Sequence, residues 1–267
     1  MVPARVLFVA MLAFWLVYPI AVWDDYARLS GRSFVRVGVL GLERSLRARV
    51  LQLADQVIAN YRGPLPTVRE RQWSAAQQSL EHALVLAPGD RRLTSALRYC
   101  EGHLHRINGE ALKTRGQRAA ANQQFTSAVA DFREAAELRP EWADPFLGLA
   151  RTFIYGIEDI DRGADAFTQA QQRGYAIGER ETAQLGDGYR VRGDNLRQTA
   201  RQLMRLPQEE DYLQRAQAAY RDALTQYDRI PGFPGVATNL RRVHRAIDDI
   251  DRRVEELAAE KEAAEPR

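Results

Sequence analysis

The chain has 267 residues, of which 45% are hydrophobic, so it can bury a continuous core in one or two globular domains. Its 38 basic and 35 acidic side chains leave a formal net charge of only +3, and no basic run interleaved with aromatic residues occurs. Composition therefore gives no indication of a nucleic-acid partner. Cys100 is the single cysteine, which excludes an intrachain disulfide and a cysteine metal cluster. Lys113 and Lys261 are the only lysines, and this preference for arginine is typical of a GC-rich bacterial genome.

The first strong feature is an apolar stretch near the N-terminus. Between Val6 and Trp23 the sequence carries no charge over eighteen residues. As a helix it would be roughly 27 Å long, close to the hydrocarbon thickness of a bilayer. Arg5 precedes it and Asp24 and Asp25 follow it, so the positive-inside tendency places the N-terminus in the cytoplasm. The pattern predicts a single-pass inner-membrane protein, with residues 1–24 as a signal-anchor helix and the rest in the periplasm.

Two alternatives to the anchor remain open. One is a cleaved signal peptide, although Pro19 and Trp23 crowd the expected cleavage site, where small residues are preferred. The other is a buried core helix. The segment 25–39 reads as a polar linker, and its arginines weaken the orientation argument.

Helical periodicity is clearest in the segment Ala128–Phe153. Its first half carries one apolar helix face at steps of four, three and three residues, and Pro140 ends that helix. A second amphipathic run follows the proline. The apolar positions are Ala128, Phe132, Ala135 and Leu138, and then Phe146, Leu147, Leu149, Ala150 and Phe153.

This order of small and large residues around a proline turn resembles the tetratricopeptide repeat family. There a helical hairpin of about 34 residues carries A-x-x-x-F-x-x-A-x-x-L-x-P in its second helix and W-x-x-L-G-x-x-Y in its first. Leu185, Gly186 and Tyr189 match the L-G-x-x-Y part. The resemblance covers residues 40–230, where 40–61 and 68–86 form the first predicted hairpin. It implies an all-α solenoid of stacked hairpins and a role in binding other proteins.

The interval from Pro88 to Pro140 is longer than one repeat, and two interpretations compete. A full repeat beginning at Gly109 would leave an odd helix over residues 92–107 without a partner. A single long hairpin turning at Gly116 keeps an unbroken apolar stripe through Gly109. The stripe and the cations before Gly116 favour the long hairpin.

A second irregularity follows the L-G-x-x-Y match. The dipeptide Gly193-Asp194 predicts a turn. A degenerate second helix would then run over residues 196–206 before Pro207, and residues 210–227 would restore the repeat spacing.

After the turn Pro231–Gly235, residues 236–262 carry a heptad seam. Two interpretations remain open. The segment could be a capping helix that covers the end of the solenoid, or one strand of a two-chain coiled coil that makes the protein a homodimer. The seam consists of Leu240, Val243, Ile247, Ile250, Val254 and Leu257.

No catalytic, metal or cofactor motif is expected from the sequence. His103 and His105 are two residues apart on a helix and point in different directions, so they cannot share a metal ion. The acidic run Asp159–Asp165 lacks the glycine and the glutamate of a calcium loop and is better explained as a polar turn. Cys100 lies on an apolar stripe and is predicted to be a core residue rather than a nucleophile.

The resemblance also implies where a partner binds. In the family, groove-facing positions lie on the first helix of each repeat, chiefly the second, fifth, ninth, twelfth and thirteenth. Arginine and tyrosine at such positions suit a peptide that offers carboxylates and an apolar anchor. A set of ordinary solvated helix faces is the alternative. The implied protein-binding positions are Asp144, Leu147, Arg151, Ile154, Tyr155, Arg180, Ala183, Asp187, Arg190 and Val191.

The sequence thus predicts a non-enzymatic, membrane-anchored scaffold of the bacterial envelope that binds a protein or peptide in a helical groove. A structural protein that self-associates through the C-terminal heptad helix is the competing hypothesis. Neither hypothesis identifies a partner.

We expect the protein to fractionate with membranes and to resist alkaline extraction, because the apolar segment 6–23 stays attached. Protease added outside the inner membrane should digest the helical domain. Recovery of a soluble mature form beginning near Asp24 would show instead that the segment is a cleaved signal.

Overall fold

The computed structural model of the protein describes residues 36–62 and 69–264. The predicted anchor, residues 25–35 of the linker and the turn at Gly63–Pro66 lie outside this part of the chain. Every regular element among the described residues is a helix, which confirms the all-α prediction. Among those same residues, no helix combines the length and the apolar character needed to cross a bilayer. The apolar stretch 6–23 lies outside the described residues.

The described helices follow one another with short connections. A π-helical segment, Thr152–Ile157, directly continues the fifth of them. The helices are α1 (Arg36–Tyr61), α2 (Glu70–Leu86), α3 (Arg91–Thr114), α4 (Arg118–Leu138), α5 (Asp144–Arg151), α6 (Ile160–Gln172), α7 (Glu179–Gln202), α8 (Glu209–Tyr227) and α9 (Val236–Ala264).

Each helix packs mainly against its neighbours in the chain. The pairs α1/α2, α3/α4, α5/α6 and α7/α8 form hairpins, and α2, α4, α6 and α8 also contact the helix that follows. The long-hairpin prediction for the interval between Pro88 and Pro140 is confirmed, because α3 and α4 are its two arms. Gly116 closes the turn with φ +78°, a conformation that glycine adopts without a steric penalty.

The turn predicted at Gly193-Asp194 is wrong. Helix α7 runs without interruption through both residues and ends at Gln202, so residues 196–202 of the predicted helix are its C-terminal end and residues 203–206 lie beyond it. The partner of α7 is α8, so this hairpin is also long. The physical reason is that Gly193 provides room for a ring and not a bend, while Asp194 accepts a hydrogen bond of 2.7 Å from the hydroxyl of Tyr220.

Close contact in the α3/α4 hairpin depends on aromatic rings that lie on glycines. A Cβ atom at Gly102 would lie 2.7 Å from the ring of Phe132, and one at Gly109 would lie 2.6 Å from the ring of Phe125. Real Cβ atoms do not approach carbon this closely, so any larger residue would push the two helices apart.

The α7/α8 hairpin repeats the arrangement. A Cβ atom at Gly186 would lie 2.6 Å from the ring of Tyr227, and one at Gly193 would lie 2.7 Å from the ring of Tyr220. In both hairpins the two glycines are seven residues apart and so are the two rings. Seven residues are about two helical turns, so each pair lies on one face of its helix.

Helix α9 lies on α8. Val243, Ile250 and Leu257 are buried against that helix, as a capping helix requires. The other three heptad residues, Leu240, Ile247 and Val254, are only partly buried at its edge.

We expect Gly193→Ala to lower the free energy of unfolding by about 1–3 kcal/mol, because the new methyl group would collide with the ring of Tyr220. In an exposed helix the same change would stabilise the protein by about 1 kcal/mol. Urea unfolding of the full chain in detergent, followed by circular dichroism, measures the difference.

Arg201→Ala, at an exposed position of the same helix, is the control and should change stability by less than about 0.5 kcal/mol. A stabilised Gly193→Ala variant would contradict the ring contact, since it would mean that the methyl group meets open space.

Candidate functional site

A cleft of about 450 Å³ opens between α5, α7 and the segment that leads into α9. Five residues of the predicted groove, Arg151, Tyr155, Arg180, Ala183 and Asp187, line it together. The full set of lining residues is Glu110, Arg151, Tyr155, Arg180, Ala183, Gln184, Asp187, Tyr227, Phe233, Pro234, Val236 and Asn239.

The π-helical segment positions Tyr155 in the cleft wall. Lys113 holds this segment from α3, because its Nζ donates to the carbonyl oxygens of Tyr155 at 2.7 Å and Gly156 at 3.3 Å. The same ammonium group pairs with Glu158, which ends the segment with φ +62°. π-Helical turns are rare in proteins as a whole, and those that occur are often found at functional sites. This turn therefore marks the cleft as a place where local geometry departs from the regular helix.

Asp187 joins four parts of the fold at the floor of the cleft. Its carboxylate accepts hydrogen bonds from the hydroxyls of Tyr155 at 2.8 Å and Tyr227 at 2.7 Å, and from Nδ2 of Asn239 at 2.9 Å. Burial and then the Asp187 carboxylate raise the pKa of both tyrosines above the usual value, so they remain neutral donors. The network ties the π-helical segment, α7, α8 and α9 together.

A cluster of arginines beside the cleft is built around Tyr61, the last residue of α1. Nη1 of Arg180 donates to the Tyr61 carbonyl oxygen at 2.7 Å, and Nη1 of Arg151 donates to the Tyr61 hydroxyl at 3.4 Å. Burial raises the pKa of Tyr61, but the charges of Arg151, Arg106 and Arg180 outweigh it and the net shift is downward. Three guanidinium groups therefore converge on one buried phenol.

Two carboxylates of the described residues, Glu110 and Glu181, pair with these arginines. Glu110 lies 2.6 Å from Arg106 and 3.8 Å from Arg151, and Glu181 lies 2.7 Å from Arg180. The carboxylates of Glu110 and Asp187 line the cleft together with Arg151 and Arg180. The two guanidinium groups lie in a partly desolvated place, where a charge interacts more strongly than it does in water. A carboxylate is the natural complement, because the planar guanidinium fork matches its geometry.

Other members of the predicted groove do not line the cleft. Leu147 and Ile154 are only 4% and 1% exposed and belong to the hydrophobic core, because α5 is short and is enclosed by α3, α4 and α6. Asp144 is fully buried in a bidentate pair with Arg62. Arg190 is paired with Asp194 at 2.9 Å.

The prediction missed Tyr61, Glu110, Phe233 and Asn239. Their contacts join segments far apart in the chain, as in the bond between Arg180 and Tyr61 across 119 residues, and repeat spacing carries no information about such pairs. Phe233 offered one signal, an aromatic residue inside a turn rich in proline and glycine.

His103, Cys100 and Asp159, whose residue types could carry catalysis or bind a metal, have structural roles in the fold. His103 is fully buried and stacked on Trp73 at 4.1 Å, and burial, followed by Arg106, lowers its pKa well below the usual value. Cys100 is buried, as predicted, and burial raises the pKa of its thiol. Asp159 caps α6 by accepting from the Arg162 backbone N–H at 3.1 Å. No group of three or more metal-binding side chains occurs among residues 36–62 and 69–264.

No protein-family model, no curated protein and no solved structure matches this chain. The tetratricopeptide resemblance therefore depends on the residue pattern alone, and the cleft has to be interpreted from its own chemistry.

We expect Tyr227→Phe to lower the free energy of unfolding by about 1.5–3 kcal/mol, because it removes a hydrogen bond to the Asp187 carboxylate. Thermal and urea unfolding of the full chain measure this loss. Tyr189→Phe is the matched control, since the structure gives its partly buried hydroxyl no hydrogen bond to another described residue. Equal losses in the two variants would show that the Asp187 network does not stabilise the fold.

Proposed function

We propose that the protein is a non-enzymatic, tetratricopeptide-like scaffold, anchored in the bacterial inner membrane by residues 6–23. Its helical domain lies in the periplasm and binds an acidic peptide segment of a partner protein in the cleft. The observation that carries the proposal is that Arg151 and Arg180 line a cleft of about 450 Å³ whose other lining residues include the rings of Tyr155, Tyr227 and Phe233.

The charged wall supplies specificity for the ligand. Arg151 keeps about a quarter of its side chain exposed, and its nearest carboxylate, Glu110, is 3.8 Å away and shared with Arg106. A ligand carboxylate would therefore meet a guanidinium group that still has donors to offer.

The aromatic wall supplies the anchor. Phe233 and Pro234 line the same cleft as Arg151 and Tyr155, and they come from the turn before α9. An apolar side chain of the peptide would be covered there while a neighbouring carboxylate reaches Arg151. Buried aromatic and arginine anchors are the residues that most often dominate the free energy of peptide binding.

The scaffold role follows from the order of the helices. Hairpins that pack in chain order are the building units of solenoids, and stacked helical hairpins present an extended surface for peptide binding. The spacing shared by the segments at Ala76, Ala128 and Ala216 supports the tetratricopeptide form of this architecture.

One observation favours self-association as a second candidate function. Leu240, Ile247 and Val254 are spaced by seven residues along the edge of α9 and are only partly buried. A second copy that packs on this edge would complete a coiled-coil seam. In that case the protein would be a homodimer of the cell envelope, and the cleft would be an ordinary solvated surface.

We expect Arg151→Gln to weaken binding of an acidic peptide at least tenfold, or about 1.4 kcal/mol. The probe is a fluorescent peptide that contains one phenylalanine between pairs of glutamates, and fluorescence anisotropy with the full chain in neutral detergent measures its affinity. Phe233→Ala should weaken binding too, and a probe with lysines in place of the glutamates should not bind.

Arg215→Gln is the matched control, because Arg215 lies on α8 outside the cleft and is largely exposed. Equal affinities of the Arg151 variant and the control would contradict the proposed clamp. If deletion of α9 converts a dimer in detergent into a monomer, self-association is the better account.

A further inference from the structure

A second cleft, of about 530 Å³, lies between α7 and α9. It is separate from the first cleft, lined by Arg151, Tyr155 and Asp187, which we call the peptide cleft. We call it the arginine cleft, because four of its lining residues are arginines and only one is acidic. Its lining residues are Arg197, Thr238, Arg241, Arg242, Arg245, Ala246 and Asp249. A chain with almost equal numbers of basic and acidic residues has here a local excess of positive charge.

The spacing along α9 makes this excess unfavourable for the isolated protein. Arg241 and Arg245 are four residues apart and Arg242 and Arg245 are three apart, so the side chains are neighbours on the helix surface. Like charges at these spacings repel and destabilise a helix. Arg197 approaches the same place from α7 and adds a fourth positive charge.

The acidic partners available are already shared. Asp249 accepts from Arg197 at 3.4 Å and from Arg252 at 2.8 Å. Asp194, at the edge of the cleft, accepts from Arg242 at 2.8 Å and from Arg190 at 2.9 Å. Each carboxylate therefore faces two guanidinium groups.

Within the described part of the chain, two arginines of the cleft have no carboxylate partner. Arg241 donates to the hydroxyl oxygen of Thr238 at 3.2 Å, and Arg245 forms no ion pair with any residue that the structure describes. Both side chains are exposed, so an anion can reach them without a change in the fold.

We propose that the arginine cleft binds a phosphate group, either of a phospholipid headgroup or of a soluble phosphorylated molecule. A phosphate monoester carries about 1.5 to 2 negative charges, which matches the two arginines without a carboxylate partner. Its oxygens accept paired hydrogen bonds from the planar guanidinium fork, a geometry that an ammonium group does not offer. Thr238 adds a hydroxyl group at the same edge. This site is independent of the peptide cleft and of the function proposed for it.

The first test measures binding of inorganic pyrophosphate to the full chain in nanodiscs of a zwitterionic lipid by isothermal titration calorimetry. We expect saturable binding that weakens as salt is added. The double variant Arg241→Gln/Arg245→Gln should lose at least tenfold in affinity and keep the helical content of the parent. Arg221→Gln, an exposed arginine of α8 outside both clefts, should keep the parent's affinity. Absence of pyrophosphate binding, or equal affinity in the double variant, would overturn the proposal.

The lipid composition of the nanodisc then distinguishes the two sources of phosphate. If the ligand is a lipid headgroup, replacing zwitterionic by anionic phospholipid should compete with pyrophosphate and lower its apparent affinity severalfold in the parent but not in the double variant. If the ligand is soluble, the parent's affinity should not depend on the lipid. Both outcomes support the site and differ only in where the phosphate comes from.

Substitution of one of two neighbouring aspartates should raise the affinity for pyrophosphate instead of lowering it. Asp249→Asn removes the one carboxylate that lines the cleft, so pyrophosphate should bind at least threefold more tightly. Asp248→Asn is the matched control, because Asp248 is exposed on the same helix and does not line the cleft. Weaker or unchanged binding in the Asp249 variant would contradict the location of the site.

Discussion

The fold depends on aromatic rings that lie directly on helix glycines. Phe132 shows the constraint most clearly, because its ring fills the space where a Cβ atom would stand at Gly102 of α3 and also at Gly148 of α5. One ring therefore joins its own hairpin to the next. Dispersion contacts are weak individually, but a ring enclosed by backbone on both faces makes many of them at the closest permitted distance.

The same constraint positions the peptide cleft. Gly186 lets the ring of Tyr227 lie against α7, and the next residue, Asp187, accepts a hydrogen bond of 2.7 Å from the hydroxyl of that same tyrosine. Packing and hydrogen bonding thus act on one side chain from two successive residues. Because Tyr155 donates to the same carboxylate, the register between α7 and α8 also fixes the π-helical segment that carries Tyr155. Apart from Phe233 and Pro234, which come from the turn before α9, the cleft is consequently lined by residues of helices.

Much of the helical architecture could be predicted from apolar spacing. The face beginning at Ala128, the end of that helix at Pro140 and the long hairpin turning at Gly116 all follow from local patterns that the structure reproduces. The turn predicted at Gly193-Asp194 failed because the sequence does not reveal whether a glycine is needed for backbone conformation or for close packing. The ring that decides the matter, Tyr220, comes from another helix.

The cleft was predictable only in part, for a related reason. The tetratricopeptide resemblance implied Arg151, Tyr155, Arg180 and Asp187 as groove positions, and these residues do meet. It could not separate buried from exposed members of one helix face, so it included Ile154, which the core encloses. That distinction depends on how many neighbours surround a short helix, and a single sequence does not state this.

The two long hairpins use one pattern for two different charge environments. In each hairpin an arginine stands four residues after the first of the two packed glycines, and a carboxylate stands four residues after the arginine. These residues are Arg106 and Glu110 in α3, and Arg190 and Asp194 in α7. In the first hairpin α5 covers the pair, so Glu110 is drawn toward Arg151 and the peptide cleft. In the second the neighbouring element is α9, whose Arg242 reaches Asp194 at the edge of the arginine cleft. The charges that surround each of these ion pairs are therefore set less by the hairpin's own sequence than by the helix that packs against it.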